Sequence, residues 1–288
     1  MEIKEKIYKW IDENEQKYIA KLQKIVQHNS TQGKEKAVQE LIASYLHELG
    51  LEVDMWDLNS ERLKKHPYFY SNRENFQHSP NVVGILKGTG DGKSIILNGH
   101  VDVVPEGDHT QWNEHPYEGK IIDGKMYGRG VTDMKGGNIA LLMAIEAIQS
   151  VGLRLKGDVI FQSVVEEESG GAGTLDTILK GYKADAAIIP EPTNMKIFPK
   201  QQGSKWFRLI VKGRTAHGGT RYHGVSAIEK SFIVYEHLKT LEKIRNARIN
   251  DPLYDNIPIP IPINVVTIHG GNWPSSVQDI GQFEGTIG

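Results

Sequence analysis

The chain has 288 residues, with 34 basic against 36 acidic side chains, a formal net charge of −2 and no cysteine. A balance so close to neutral leaves no electrostatic footprint for a nucleic-acid partner. The lack of thiols excludes disulfides and thiolate metal sites, leaves His, Asp and Glu as the only metal ligands, and fits a reducing compartment. Hydrophobic residues make up 39% and charged residues 24%, a globular balance with enough apolar material for a core at this length. The N-terminal MEIKEKIYKWIDENEQ has neither the apolar stretch nor the cleavage site of a secretory signal. No apolar run approaches the roughly 18–20 residues of a membrane span. A cytoplasmic enzyme with no membrane partner is the expectation.

In chain order, residues 3–26 predict a helix. Ile3, Ile7 and Ile11 recur every fourth residue, and Tyr18, Leu22, Ile25 and Val26 continue the stripe. A second helix is predicted over 34–49, with Val38, Leu41, Ile42, Tyr45 and Leu49 on one face and Gly50 as its stop. Leu51, Val53 and Met55 alternate with Glu52 and Asp54, a strand pattern. The polar, irregular stretch 57–79 reads as a surface excursion. Short β-branched runs at 81–86 and 94–98 read as strands, and 121–127 as a hairpin turning at Asp123 and Gly124. A helix over 134–151, a buried strand over 158–165, a helix over 174–182 and a strand over 184–189 complete the alternation. This order predicts an α/β domain with a mixed, mostly parallel sheet flanked by helices.

After Pro199 the texture changes. A strand at 206–211, a helix at 225–241 and strands at 263–268 and 277–287 predict a smaller α+β domain. The Pro-rich DPLYDNIPIPIPIN between them reads as extended. The predicted division is a domain over 1–202 and a second over 203–288.

Chemistry-bearing side chains gather at the ends of the predicted strands. In SIILNGHVDVV, His100 and Asp102 share a face at the carboxyl end of a strand. A carboxylate beside a histidine fixes its tautomer and strengthens it as a metal ligand, although His-x-Asp alone is equally a structural pair. Asp133, in YGRGVTDMKGG, sits at a Gly-rich turn entering a helix. It can cap that helix or, with two oxygens, bridge two cations. Glu166, Glu167 and Glu168 follow a buried strand directly. A surface loop would solvate such a run, but at a buried strand end the carboxylates repel unless a cation or proton offsets them. Glu191 lies between Pro190 and Pro192, as a turn residue or a stiffly held carboxylate. His217, in VKGRTAHGG, reads from the residues alone as a loop histidine. No GxxxxGK[ST] and no dinucleotide fingerprint occurs, so the Gly-rich stretches are not phosphate loops.

Taken together, GHVDVVP, GRGVTDMKGG, EEESGGAG and EPT resemble the acetylornithine deacetylase / succinyl-diaminopimelate desuccinylase family of co-catalytic zinc peptidases and deacylases, over nearly the whole chain. The resemblance implies that His100 and Glu191 bind one metal, Asp133 bridges both and Glu168 binds the second. It makes Asp102 the orienting partner of His100, and Glu167 the general base. Two divalent cations are implied, zinc with cobalt or manganese as alternatives, which bring the pKa of a bridging water from about 15.7 toward roughly 7. The resemblance also makes 203–288 the lid and dimerisation domain of a homodimer. There His217 supports the oxyanion of the neighbouring subunit, and Asn272, in GGNWP, contacts substrate. The implied activity is hydrolysis of an N-acyl amino acid amide, acetylornithine first, with dipeptidase or aminoacylase action on short peptides, or a non-catalytic fragment, as alternatives.

Two departures stand out. The family's second metal takes a further histidine near the end of a longer chain, so a first domain truncated at its C-terminal part is expected. Many relatives hold a substrate carboxylate with an arginine in the last lid strand, and VQDIGQFEGTIG has none.

Overall fold

Residues 2–71, 73–199 and 203–288 are described by the structure, a computed structural model in which the chain divides into two units, Met1–Ile197 and Phe198–Gly288. In the larger unit the elements run α1 (Ile3–Val26), α2 (Lys36–Glu48), β1 (Glu52–Asp57), α3 (Ser60–Leu63), β2 (Pro80–Leu86) and β3 (Ile95–His100). The hairpin β4 (Lys120–Ile122) and β5 (Lys125–Tyr127) follows, then α4 (Gly136–Ser150), β6 (Val159–Val164), α5 (Ala172–Lys180) and β7 (Ala186–Ile188). Five strands form one mixed sheet in the order β1-β2-β6-β3-β7. β3 runs parallel to β6 and β7, while β2 is antiparallel to β1 and β6. Parallel neighbours require a crossover, and α4 and α5 provide the two crossovers, β3 to β6 and β6 to β7. This is the α/β architecture that the alternation of elements predicts.

Burial explains the layering. Every residue of β6 is buried, because it lies between β2 and β3. α2 packs on β1 and β2, α4 packs on β3, and α1 packs on α4. Their apolar stripes close over Val82, Leu97 and Phe161 with Ile25, Ile42 and Leu142.

Three local expectations change. α4 begins at Gly136 rather than 134, because Met134 is non-helical (φ −128°, ψ 32°) and residues 131–135 form a wide turn. The stretch 57–79 is not all surface: α3 forms within it, Leu63 is 0% exposed and Phe76 1%. Leu58, Leu63 and Phe76 are too widely spaced in a polar run to give a period, yet they fold the run inward. The Pro-rich stretch opens with a 3-10 turn, Pro252–Tyr254, because the Asp251 carboxylate accepts the Leu253 amide there.

The smaller unit contains β8 (Lys205–Lys212), β9 (Ala216–His217), α6 (Ala227–Asn246), β10 (Ile263–Gly270), β11 (Ser276–Val277) and β12 (Ile280–Ile287). β10, β12 and β8 make an antiparallel sheet on which α6 packs, and β9 pairs with β11. Val277 thus belongs to a separate two-residue pair, and the last strand starts at Ile280. Ser226 caps α6 by accepting the Glu229 amide. Among the described residues no helix is long and apolar enough to cross a membrane.

The central place of β6 gives a stability prediction. Phe161 is 0% exposed and Ile3 54%. Phe161→Ala is expected to cost about 3–5 kcal/mol and Ile3→Ala less than about 0.5 kcal/mol, measured as the change in unfolding free energy in urea.

Candidate metal centre

Parallel strands present their carboxyl ends at one edge, where α/β sheets build their sites. β3, β6 and β7 do so here. His100 pairs in register with Val164, and Leu97 with Ile188. Glu167 and Glu191 each lie three residues beyond those partners, so both chains leave the sheet beside His100. Asp133 arrives from the wide turn before α4, where the Asp133–Met134 peptide is cis. The His100 Nε2 lies 3.0 Å from Asp133 Oδ1, 3.9 Å from Glu167 Oε2 and 3.9 Å from Glu191 Oε1. Two overlapping sets, His100–Asp133–Glu168 and His100–Glu167–Glu191, each bring their ligating atoms within 4.8 Å of one another. All five side chains that the sequence assigned to metal and base are therefore gathered at one place.

Two glycines permit the approach of α4. A Cβ on Gly99 would stand 2.2 Å from Asn138 Oδ1, and one on Gly137 would stand 2.5 Å from the Pro190 carbonyl. Any side chain there would push α4 off β3 or off the Pro190 corner.

Charge sets the character of the site. His100 is 1% exposed. Burial alone would lower its pKa, but hydrogen bonding to Asp102 and Asp133 and the charge of Glu167 outweigh burial and raise it to about 11. Burial and the neighbouring carboxylates push Glu168 and Glu191 up to about 7. Glu167 is raised too, chiefly by burial. Asp133 moves the other way, because it accepts the hydrogen bond of His100. One imidazole cannot neutralise four carboxylates, so the pocket is satisfied either by protons or by cations. Its donors are carboxylate oxygens and one imidazole nitrogen, which suit zinc, cobalt or manganese. Among the described residues, the groups able to hold a metal contain no imidazole besides His100.

The sequence profile of peptidase family M20/M25/M40 matches residues 96–269, a span that contains every residue of this centre. The chain belongs to that family. It is 33% identical over 290 residues to N-formyl-4-amino-5-aminomethyl-2-methylpyrimidine deformylase of Halalkalibacterium halodurans, covering 96% of this chain and 63% of that protein. It is 30% identical to a probable succinyl-diaminopimelate desuccinylase of Staphylococcus aureus, covering 74% of this chain and 49% of that protein. The chain thus spans 63% and 49% of the length of these two relatives. Among solved structures, the di-peptidase Dug1p of Saccharomyces cerevisiae shares the fold with a TM-score of 0.74, at 17% identity, over 98% of this chain and 71% of that one.

In this M20-family chain, the side chains of the centre are held from behind by a second set of hydrogen bonds. His100 Nδ1 donates to the Asp102 backbone carbonyl at 2.8 Å, which turns Nε2 into the site, where it donates to Asp133 at 3.0 Å. The Asp102 carboxylate is farther, at 3.5 Å from Nδ1. Instead it accepts the amides of Glu167 and Glu168 at 3.3 and 3.1 Å. Asp102 therefore holds the imidazole through its backbone and the glutamate turn through its side chain. Asn138 donates to the His100 carbonyl at 2.6 Å. Lys135, 0% exposed, donates to the His28 carbonyl at 2.9 Å, and burial lowers its pKa to about 7. Neither Asn138 nor Lys135 stood out in the sequence, since a polar residue inside a helical run carries no period of its own.

His217 and Asn272 lie in the smaller unit, both exposed. His217 Nδ1 accepts the Gly219 amide at 3.1 Å, which places the proton of the neutral ring on Nε2 as a donor.

The raised carboxyls carry a linkage sign. Glu168 and Glu191 hold protons up to about 7 in the native state, against 4.5 ordinarily. Between those values the native state binds more protons than the unfolded chain, so stability falls as pH rises. His100, held at about 11 against 6.5, gives the same sign above neutrality. Metal-free protein is expected to lose melting temperature from about pH 5 to pH 8, Glu191→Gln to flatten that slope, and saturating zinc to reverse it. Calorimetry across pH checks all three.

Proposed function

We propose that this protein is a metal-dependent hydrolase of short N-acyl amides, and that an N-formyl aminomethylpyrimidine is its first-choice substrate. The observation that carries the chemistry is the convergence of His100, Asp133, Glu167, Glu168 and Glu191 at one strand edge, in two overlapping triads whose ligating atoms each lie within 4.8 Å of one another. Membership of the M20 family supports the reaction class. The formyl substrate rests on the deformylase relative, and on the absence of arginine from VQDIGQFEGTIG. A formyl-aminopyrimidine has no carboxylate for such an arginine to hold. A succinyl or acetyl amino acid, including acetylornithine, is the second reading, favoured by the desuccinylase relative.

In this reading the Met1–Ile197 unit carries the metals and the chemistry. His100 and Glu191 would hold one cation, Glu168 would hold a second and Asp133 would serve both, with zinc, cobalt or manganese as candidates. Bound cations would acidify water and polarise the amide carbonyl. Glu167, its pKa raised by burial, is suited to take a proton from water and return it to the departing amine nitrogen as the C–N bond breaks. The smaller unit acts as a lid. There His217 Nε2–H would donate to the oxyanion in the neighbouring subunit, and Asn272 would contact substrate. Pairing into a homodimer through this unit is supported by open apolar side chains on α6 and on the edge strand β10, with Phe232 61%, Val266 64% and Ile268 57% exposed.

A panel of N-formyl-aminomethylpyrimidine, N-acetylornithine, N-succinyl-diaminopimelate and dipeptides, assayed with zinc, tests the substrate. The formyl compound is expected to lead in kcat/KM, and preference for acetylornithine or dipeptides would overturn that choice. Glu167→Gln is expected to lower kcat by about 10²–10⁴-fold with metal content unchanged by atomic absorption. Full turnover in that variant would end the general-base assignment.

A further inference from the structure

Of the three consecutive glutamates, Glu167 and Glu168 serve the centre and Glu166 does not. Its side chain turns away into the protein, 1% exposed, in a residue with a left-handed backbone (φ +65°) that a non-glycine residue rarely adopts. The carboxylate is fully engaged. Oε1 accepts from Arg73 Nη1 at 2.8 Å and Gln32 Nε2 at 3.1 Å, and Oε2 accepts from Ser71 and Ser169 hydroxyls at 3.1 and 2.9 Å.

Arg73 is the only cation in this set. It comes from the polar excursion before β2 and is itself largely enclosed, with 14% of its side chain exposed. Nη1 also lies 3.6 Å from Glu35 Oε1, Nη2 donates to Ser79 Oγ at 2.9 Å, and Ser79 in turn donates to Glu35 Oε2 at 2.8 Å. The guanidinium stands 5.1 Å from the Phe76 ring centroid. Two buried carboxylates thus depend on one guanidinium, and a buried carboxylate stripped of its cation is strongly unfavourable.

The turn is clamped on its other side by Asp102, which accepts the Glu167 and Glu168 amides. The Gly171 amide closes it on the Glu166 carbonyl at 2.7 Å. A left-handed residue reverses the side on which the chain presents its next side chains. With Glu166 drawn toward Arg73, Glu167 and Glu168 face His100.

We propose that Arg73 is a positioning residue of the metal centre: through its ion pair with Glu166 it holds the left-handed turn that aims Glu167 and Glu168 at His100. The proposal rests on the metal-centre reading above. Loss of a partner behind a ligand weakens metal binding or activity by about 10–100-fold, so the effect is measurable.

Cobalt(II) titration of the metal-free protein, followed by visible absorption, is the direct test, with kcat and KM measured in parallel. Arg73→Met is expected to weaken cobalt binding and lower kcat by about tenfold or more, to alter the absorption band, and to leave KM within about threefold. Arg73→Lys is expected to recover part of both losses. The double variant Arg73→Met/Glu166→Gln is expected to be no worse than Arg73→Met alone, since the two act as one unit. Leu63→Ala loosens the same excursion without touching the ion pair, so it should lower the melting temperature and leave the cobalt spectrum intact. An unchanged cobalt affinity and spectrum in folded Arg73→Met would overturn the proposal, as would Leu63→Ala reproducing its spectrum. If Arg73→Met does not fold, the isosteric Glu166→Gln decides: weaker cobalt binding supports the proposal, and unchanged binding overturns it. Failure of the unaltered protein to bind cobalt at all would instead overturn the metal-centre reading.

Discussion

A single buried imidazole, His100, faces Asp133, Glu167 and Glu191 across 3.0 to 3.9 Å, with Glu168 close behind. The larger unit is therefore arranged around a charge imbalance that its own side chains do not cancel. Flexible side chains would relieve such repulsion by moving apart. Here they do not, because the backbone beneath each is fixed: β3 and β6 by register, Pro190 and Pro192 around Glu191, and the Asp102 carboxylate under the Glu167 and Glu168 amides. The arrangement is preorganised for positive charge and strained without it. Its preorganisation depends on parallel strands, because only parallel neighbours end on the same edge.

A second, outer layer holds opposite conditions. Glu166 and Glu35 are fully buried, unlike the half-exposed carboxylates of the centre, and they are matched by Arg73 and by hydroxyl donors. Within one glutamate run the fold thus separates a satisfied carboxylate from two unsatisfied ones. The left-handed Glu166 is the point of separation. Backbone strain of that kind persists where surrounding contacts over-determine it, and here five donors to Glu166 do so.

What the sequence revealed follows from the range of the interactions concerned. His100 and Asp102 are two residues apart on a strand, and a period of two is visible locally. Glu191 could be placed because a strand leads to it and prolines bracket it. Asp133 could be read either as a helix cap or as a bridge, and the wide turn at 131–135, which delays α4 to Gly136, removes the cap. Arg73 carried no signal. Its partner Glu166 is 93 residues away, and the polar run around it has no periodicity to show that Leu63 and Phe76 turn it inward. The role of Asp102 was half legible: adjacency to His100 was visible, whereas its hold on the glutamate turn depends on the β3–β6 pairing.

The proposed division of labour follows from what each unit can specify. Amide hydrolysis demands the same few groups whatever the acyl chain, and the larger unit gathers them on one strand edge. Discrimination among formyl, acetyl and succinyl amides demands contacts farther from the reacting carbon, because removing one methylene from a pocket changes selectivity by only about 10–200-fold. A charged anchor discriminates more strongly, since a site built for a carboxylate is left unpaired by a neutral substrate. The final strand β12 and the two residues before it offer Asp279 and Glu284 and no arginine. Glu284 is already paired with Arg208 of β8 at 2.5 Å, and β12 itself supplies no cation to hold a substrate carboxylate. In the proposed reading, a formyl-aminopyrimidine, which carries no carboxylate, needs no such anchor.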